Sequence, residues 1–168
     1  MDRFGLSGDV KDIDLAIKEL LEAVASSPID SPERSQILGQ LGRSYSARYD
    51  RFGDVKDIDL AIEQQLEAVA SASLGRAQWA AHRPVFITNL GRSYLCRFER
   101  LREVKDIDFA IKKLVEAVAT IPLNSPRRPV SLYNLGDSYL SRFISNQEPS
   151  DLKVSISNFR LSSPSGKT

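Results

Sequence analysis

The sequence predicts an all-α fold, an α-solenoid of antiparallel helix pairs, on two observations. First, Leu41 to Ala70, LGRSYSARYDRFGDVKDIDLAIEQQLEAVA, returns as Leu90 to Ala119, LGRSYLCRFERLREVKDIDFAIKKLVEAVA, with more than half of the positions identical. Its second half also stands earlier, at Asp9 to Ala25, and its first half later, at Leu135 to Phe143 (LGDSYLSRF). Self-similarity at a period of tens of residues marks stacked supersecondary units, each too small to bury its apolar face alone. Second, the apolar residues inside each copy follow the 3.6-residue period of an amphipathic helix.

The elements follow in order. Asp12 is placed to N-cap a first helix with the stripe Ile13, Ala16, Ile17, Leu20, Leu21 and Val24, and Ser27-Pro28 stops it. Ser31-Pro32 opens the next helix, Ser as N-cap and Pro at the first helical position. Leu38, Leu41, Tyr45 and Tyr49 line its inner face, and Gly53 marks its end. Asp57 starts the partner helix, whose stripe is Ile58, Ala61, Ile62, Gln65, Leu66 and Val69. Residues 71 to 86 form the least regular link, four residues longer than its counterparts. The excess is either one more helical turn or a bulging loop. A third pair runs from about Pro84 to Ala119 and closes at Ile121-Pro122. Ser125-Pro126 opens the fourth, which passes through Tyr139 and Phe143 to a break at Glu148-Pro149. Asp151 to Leu161 supplies a serine-rich last helix. One helical repeat domain over 1–162 results: a half repeat at 1–28, repeats at 31–73, 82–122 and 126–162, and a polar tail at 163–168. Because the helix from Asp12 lacks its own first helix, Ile13, Ile17 and Leu20 are expected to be exposed and to drive self-association.

Bulk properties narrow the function. Lys plus Arg number 23 against 22 Asp plus Glu, so the chain has no field suited to nucleic acid or an anionic membrane. Apolar runs fall far short of the ~20 residues that a spanning helix needs, and no secretory leader pattern follows Met1. The lone Cys96 cannot form an internal disulfide, which makes the cytoplasm the default compartment.

At this point the residues resemble the tetratricopeptide repeat (TPR) family. Its pattern of Leu-Gly, Tyr, Ala, a large apolar residue, Ala and Pro meets Leu41-Gly42, Tyr45, Ala61, Gln65, Ala68 and Ser73 in the second unit. In the third it meets Leu90-Gly91, Tyr94, Ala110, Leu114, Ala117 and Pro122, and in the fourth Leu135-Gly136, Tyr139, Ser155 and Phe159. The period departs from the basic 34 residues: Ile13, Ile58 and Ile107 mark steps of 45 and 49. The added residues imply longer helices or a longer turn. This long variant is similar to the arrays of large fungal proteins, many of which precede a caspase-like CHAT protease domain. The resemblance implies a right-handed stack of seven helices whose first helices line a concave groove for a partner peptide. By family position the groove residues are Gln36, Gly39, Arg43 and Ser46, then Val85, Thr88, Asn89, Arg92 and Leu95, then Val130, Tyr133, Asn134, Asp137 and Leu140. Arg43 and Arg92 suit an acidic partner, whereas Asp137 replaces them in the last unit. The implied function is a non-enzymatic scaffold for protein–protein interaction. The alternative is a regulatory segment of a larger CHAT protease.

No residue stands out for chemistry, and no cofactor or metal is expected. Cys96 takes the place of Ala47 and Ser141 and reads as a small packing residue, far in sequence from His82. Lone His82 has no second ligand at a metal-binding spacing. Gly42, Gly91 and Gly136 read as close helix contacts. Arg48, Arg97 and Arg142 each precede an Asp (Asp57, Asp106, Asp151) by nine residues, and recurrence in register favours a structural ion pair over solvated charge. Arg34, Arg83 and Arg128 also recur, and the same reading applies. Trp79 reads as a local cap, or else as an exposed partner anchor. Gly166-Lys167-Thr168 resembles a phosphate loop but lacks the leading Gly and the following helix.

Overall fold

The structure, a computed structural model, describes residues 10–29, 31–74 and 82–163. Among them are seven helices and no strand: α1 (Val10–Ser26), α2 (Pro32–Phe52), α3 (Val55–Leu74), α4 (Arg83–Leu101), α5 (Val104–Thr120), α6 (Arg128–Asn146) and α7 (Pro149–Ser162). Met1 to Gly8, Trp79 and the closing Gly166-Lys167-Thr168 lie outside the described residues. The chain divides into two compact units, Met1–Phe86 and Ile87–Thr168, with the boundary inside α4.

In the first unit α2 packs against both α1 and α3. Ile13 and Ile17 of α1, Leu38, Leu41 and Tyr45 of α2, and Ile58, Ala61, Ile62 and Ala68 of α3 form the core. The α1 stripe is therefore covered at Ile13 and Ile17 and half-covered at Leu20, which corrects the expectation that these residues are exposed. Leu15 and Leu21 of α1 are exposed. Leu21 and Leu66, both assigned to buried stripes from the sequence, face outward, as does Val115 at the same register in α5. The stripe is one residue narrower than the periodicity implied.

The second unit repeats the scheme. Phe98, Leu90 and Ile87 of α4, Ile107, Ala110 and Leu114 of α5, and Leu132 and Leu135 of α6 are buried, and α6 packs on α5 and α7. Helix contacts are close at the glycines. A Cβ on Gly42 would stand 2.7 Å from Gln65 Cγ, and one on Gly91 would stand 2.6 Å from Leu114 Cγ.

The long period goes into the helices. Only Gly53-Asp54, Arg102-Glu103 and Gln147-Glu148 separate the paired helices. The first residue of each couple is left-handed (φ 71°, 59° and 59°) and returns its N–H to a carbonyl one turn back, at Tyr49, Phe98 and Phe143. Part of the extra length in the 71–86 link is likewise helical, since α3 has 20 residues where α5 has 17.

The second residue of each couple begins the next helix. The Asp54 side chain accepts from the Lys56 N–H at 3.0 Å, and Glu148 from the Ser150 N–H at 3.4 Å. This corrects the sequence reading, which put the N-cap of α1 at Asp12 and the start of α3 at Asp57. Both lie in the first turn, because α1 and α3 begin two residues earlier. Ser125-Pro126 is corrected too. It belongs to a turn, and α6 begins at Arg128 with Pro129 in its first turn. Ser31 does hold the N-cap position of α2, but its hydroxyl meets Glu33 and not the backbone.

The displaced aspartates have a different task. Asp57, Asp106 and Asp151 are buried, and each takes a two-pronged guanidinium from nine residues upstream. Arg48 Nε and Nη2 reach Asp57 at 2.9 and 2.6 Å, Arg97 reaches Asp106 at 2.9 and 2.7 Å, and Arg142 reaches Asp151 at 2.8 Å twice. Each guanidinium also sits 5.4–5.5 Å from the ring centre of a tyrosine one turn back, Tyr45, Tyr94 or Tyr139. The remaining Nη1 of Arg48 reaches Asp14 at 2.8 Å, and that of Arg142 reaches Asp108 at 3.1 Å. The Asp-Ile-Asp wording thus encodes two bonds. Its first Asp ties a helix pair at the turn, and its second, as in Asp14 and Asp108, ties it to the next first helix.

Candidate interaction surface

The helix packing above fixes which side chains of α2, α4 and α6 can reach a partner. On α2, Leu38, Leu41 and Tyr45 turn inward, so Arg43 is left exposed, with Gln36 and Ser46 half-buried beside it. Arg43 hydrogen-bonds no described residue. Gly39, expected in the groove, is buried instead: a Cβ there would fall 2.4 Å from Phe86 Cε1.

On α4, Arg92 is exposed and Asn89 half-buried. Two expected neighbours are spent on packing. Leu95 is buried, and the buried Thr88 hydroxyl shares a 2.8 Å hydrogen bond with Ser131 on α6. Sequence register alone could not separate Thr88 from Asn89, because the helix that carries Ser131 is distant in sequence.

On α6, Tyr133 is 55% exposed, with its ring 5.3 Å from Phe159; Val130 is exposed, and Asn134 and Asp137 are half-buried. Electrostatics here include a residue that sequence reasoning passed over, Glu99 on α4. Partial burial, and then the Asp137 carboxylate, push Glu99 above the ordinary carboxylate range, while Arg102 and Arg92 pull it down. Burial likewise raises Asp137. The charge of Arg92 therefore acts partly on Glu99. The sequence signal was present in the acid at the end of the Arg-Phe-Glu-Arg stretch, but its proximity to Asp137 depends on how α4 and α6 pack.

The remaining candidates settle simply. Cys96 and His82 are both half-buried, and among the described residues no group of three His, Cys, Asp or Glu side chains could hold a metal. No described helix is long and apolar enough to cross a membrane. Arg34 and Arg128 cap preceding helices: Arg34 Nη1 donates to the Val24 and Ser27 carbonyls, and Arg128 Nη1 to those of Val118 and Ile121. This arrangement can offer side chains for contact. No protein-family model matches the chain, and no curated protein matches it.

Proposed function

We propose that the chain is a non-enzymatic interaction scaffold of the tetratricopeptide-repeat kind. In this reading its helix pairs wind as a right-handed solenoid, and its first helices present partner-binding faces. The observation that carries it is the division of labour along α2, α4 and α6. In each, the Leu-Gly, Tyr and Arg positions recur and are spent on packing, whereas positions left partly or fully exposed differ: Arg43, Arg92 and Asp137 at one register, Gln36, Val85 and Val130 at another. A constant frame with variable outward side chains suits recognition of an extended or helical peptide.

The partner chemistry follows from charge. Arg43, which hydrogen-bonds no described residue, offers a cation to an acidic residue, and the exposed Tyr133 edge offers an aromatic surface to an apolar one. Arg92 adds less than Arg43, because its field also serves Glu99. Peptides selected on the purified chain from a random display library test the reading. Acidic peptides should be enriched, and Arg43→Glu with Arg92→Glu should weaken them at least tenfold and remove their salt dependence. Unaltered low-salt affinity after the double reversal contradicts it.

A further inference from the structure

Four serines precede a proline: Ser27, Ser31, Ser125 and Ser163. Three of the four hydroxyls give their proton to an acceptor within the fold. Ser27 Oγ donates to the Val24 carbonyl at 2.9 Å, Ser163 Oγ to the Phe159 carbonyl at 3.1 Å, and Ser31 Oγ to the Glu33 carboxylate. Ser125 differs. Its Oγ accepts the Arg127 N–H at 3.3 Å and donates to no described residue.

The surroundings of Ser125 differ as well. It sits in the turn between α5 and α6, where its N–H donates to the Pro122 carbonyl at 3.0 Å and its carbonyl accepts from the Arg128 N–H at 3.1 Å. Pro122, Leu123, Asn124, Pro126 and Arg127 around it are all exposed. Its proline is followed by Arg127 and Arg128, whereas Ile29-Asp30, Glu33-Arg34 and Ser165-Gly166 follow the others. Of the four serines, Ser125 alone joins an exposed turn, a hydroxyl proton without an acceptor and a basic pair beyond the proline.

We propose that Ser125 is a phosphorylation site for a proline-directed protein kinase with an acidic substrate groove. In the transfer, Ser125 Oγ bonds to the γ-phosphorus of a nucleoside triphosphate as the bond from that phosphorus to its bridging oxygen breaks. The hydroxyl proton passes to the base of the kinase, and the nucleoside diphosphate leaves. The product suits its place. Arg127 holds the N-cap position of α6 without a side-chain cap bond, and the first turn has no acidic residue. A phosphate carries about −1.5 to −2 charge at neutral pH. On Ser125 it stands beside the Arg127 N–H that Oγ already meets, and it offsets two arginines at the positive end of the helix. The start of α2 already has Glu33 for this purpose. The site does not depend on the partner-binding reading above.

The full chain is incubated with a cyclin-dependent kinase and ATP, and its phosphoserines are located by mass spectrometry over time. Phosphate should accumulate on Ser125 at least tenfold faster than on Ser27, Ser31 or Ser163, and Ser125→Ala should remove the fast phase. Arg127→Glu, with an unchanged circular dichroism spectrum, should slow it at least tenfold. Equal or faster modification of another serine overturns the assignment. So does a Ser125 that is modified in a synthetic peptide of residues 119–131 but not in the folded chain, or in neither. The phosphorylated chain should also unfold at a higher temperature, and a lowered midpoint overturns the fit of the phosphate to the start of α6.

Discussion

Gln65 and Gly91 show how one side chain sets the quality of a helix contact. Gln65 is 1% exposed, with its Oε1 atom lacking a hydrogen-bond partner among the described residues, while the equivalent Leu114 fills its place with carbon alone. A buried acceptor without a donor costs roughly 1–3 kcal/mol. Gln65→Leu should therefore raise the urea midpoint of the first unit, and a lowered midpoint would mean that the amide is satisfied by a bound water. Gly91 has the opposite sensitivity. Its missing Cβ leaves room for Leu114 Cγ and the Ala110 carbonyl, and neither can withdraw far. Gly91→Leu should cost ~1–3 kcal/mol or more through overpacking, read as a lower thermal midpoint. The glycine contacts were legible in the repeat, because Leu-Gly recurs in register. The orphan amide was not, since Gln65 could be placed on the stripe but its surroundings could not.

Helix ends obey a rule that the periodicity alone misplaced. Gly53, Arg102 and Gln147 share one register and one left-handed backbone, yet only the first is glycine. An L side chain in that region costs about 1–2 kcal/mol. Gln147→Gly should thus stabilise the second unit by roughly that much, and the gain should be larger than for Arg102→Gly, because the Arg102 guanidinium lies 5.6 Å from the Phe98 ring centre. Chemical denaturation of the two variants decides the order. The Asp-Ile-Asp segment was legible as a helix start with its Arg partner nine residues upstream. Its use as a double tie was not, because the second bond joins residues 34 apart.

These ties also set the response to acid. The Arg142 guanidinium holds Asp151 below the ordinary carboxylate value, so its contribution is present above about pH 4 and is lost as pH falls through the lowered value. Asp137 and Glu99 are raised, and they act with the opposite sign: charged at neutral pH they weaken the fold, and protonation relieves this as pH falls through their raised values. Urea midpoints should therefore gain a small rise on going from neutral pH toward about pH 5, before falling below about pH 4. Asp137→Asn should remove much of that rise. A variant that keeps the full rise would place its origin in other groups.

At the scale of the whole molecule, two units are built from one set of residue roles, and the all-helical class follows from the repeat and its 3.6-residue period. The outward residues Arg43, Arg92 and Tyr133 were found from register, since a packed helix must expose what it does not bury. Register could not show that Gly39 meets Phe86 and Thr88 meets Ser131, because those partners lie on helices remote in sequence. Glu99 was missed because its environment depends on the approach of Asp137 on another helix. The central claim is that recurring residues build the frame and variable first-helix residues meet the partner. Amide chemical-shift mapping of the chain with a display-selected peptide tests it most directly. The account predicts the largest shifts at Gln36, Arg43, Ser46, Asn89, Arg92, Tyr133, Asn134 and Asp137. Shifts confined to the exposed faces of α1, α3, α5 and α7 would contradict it.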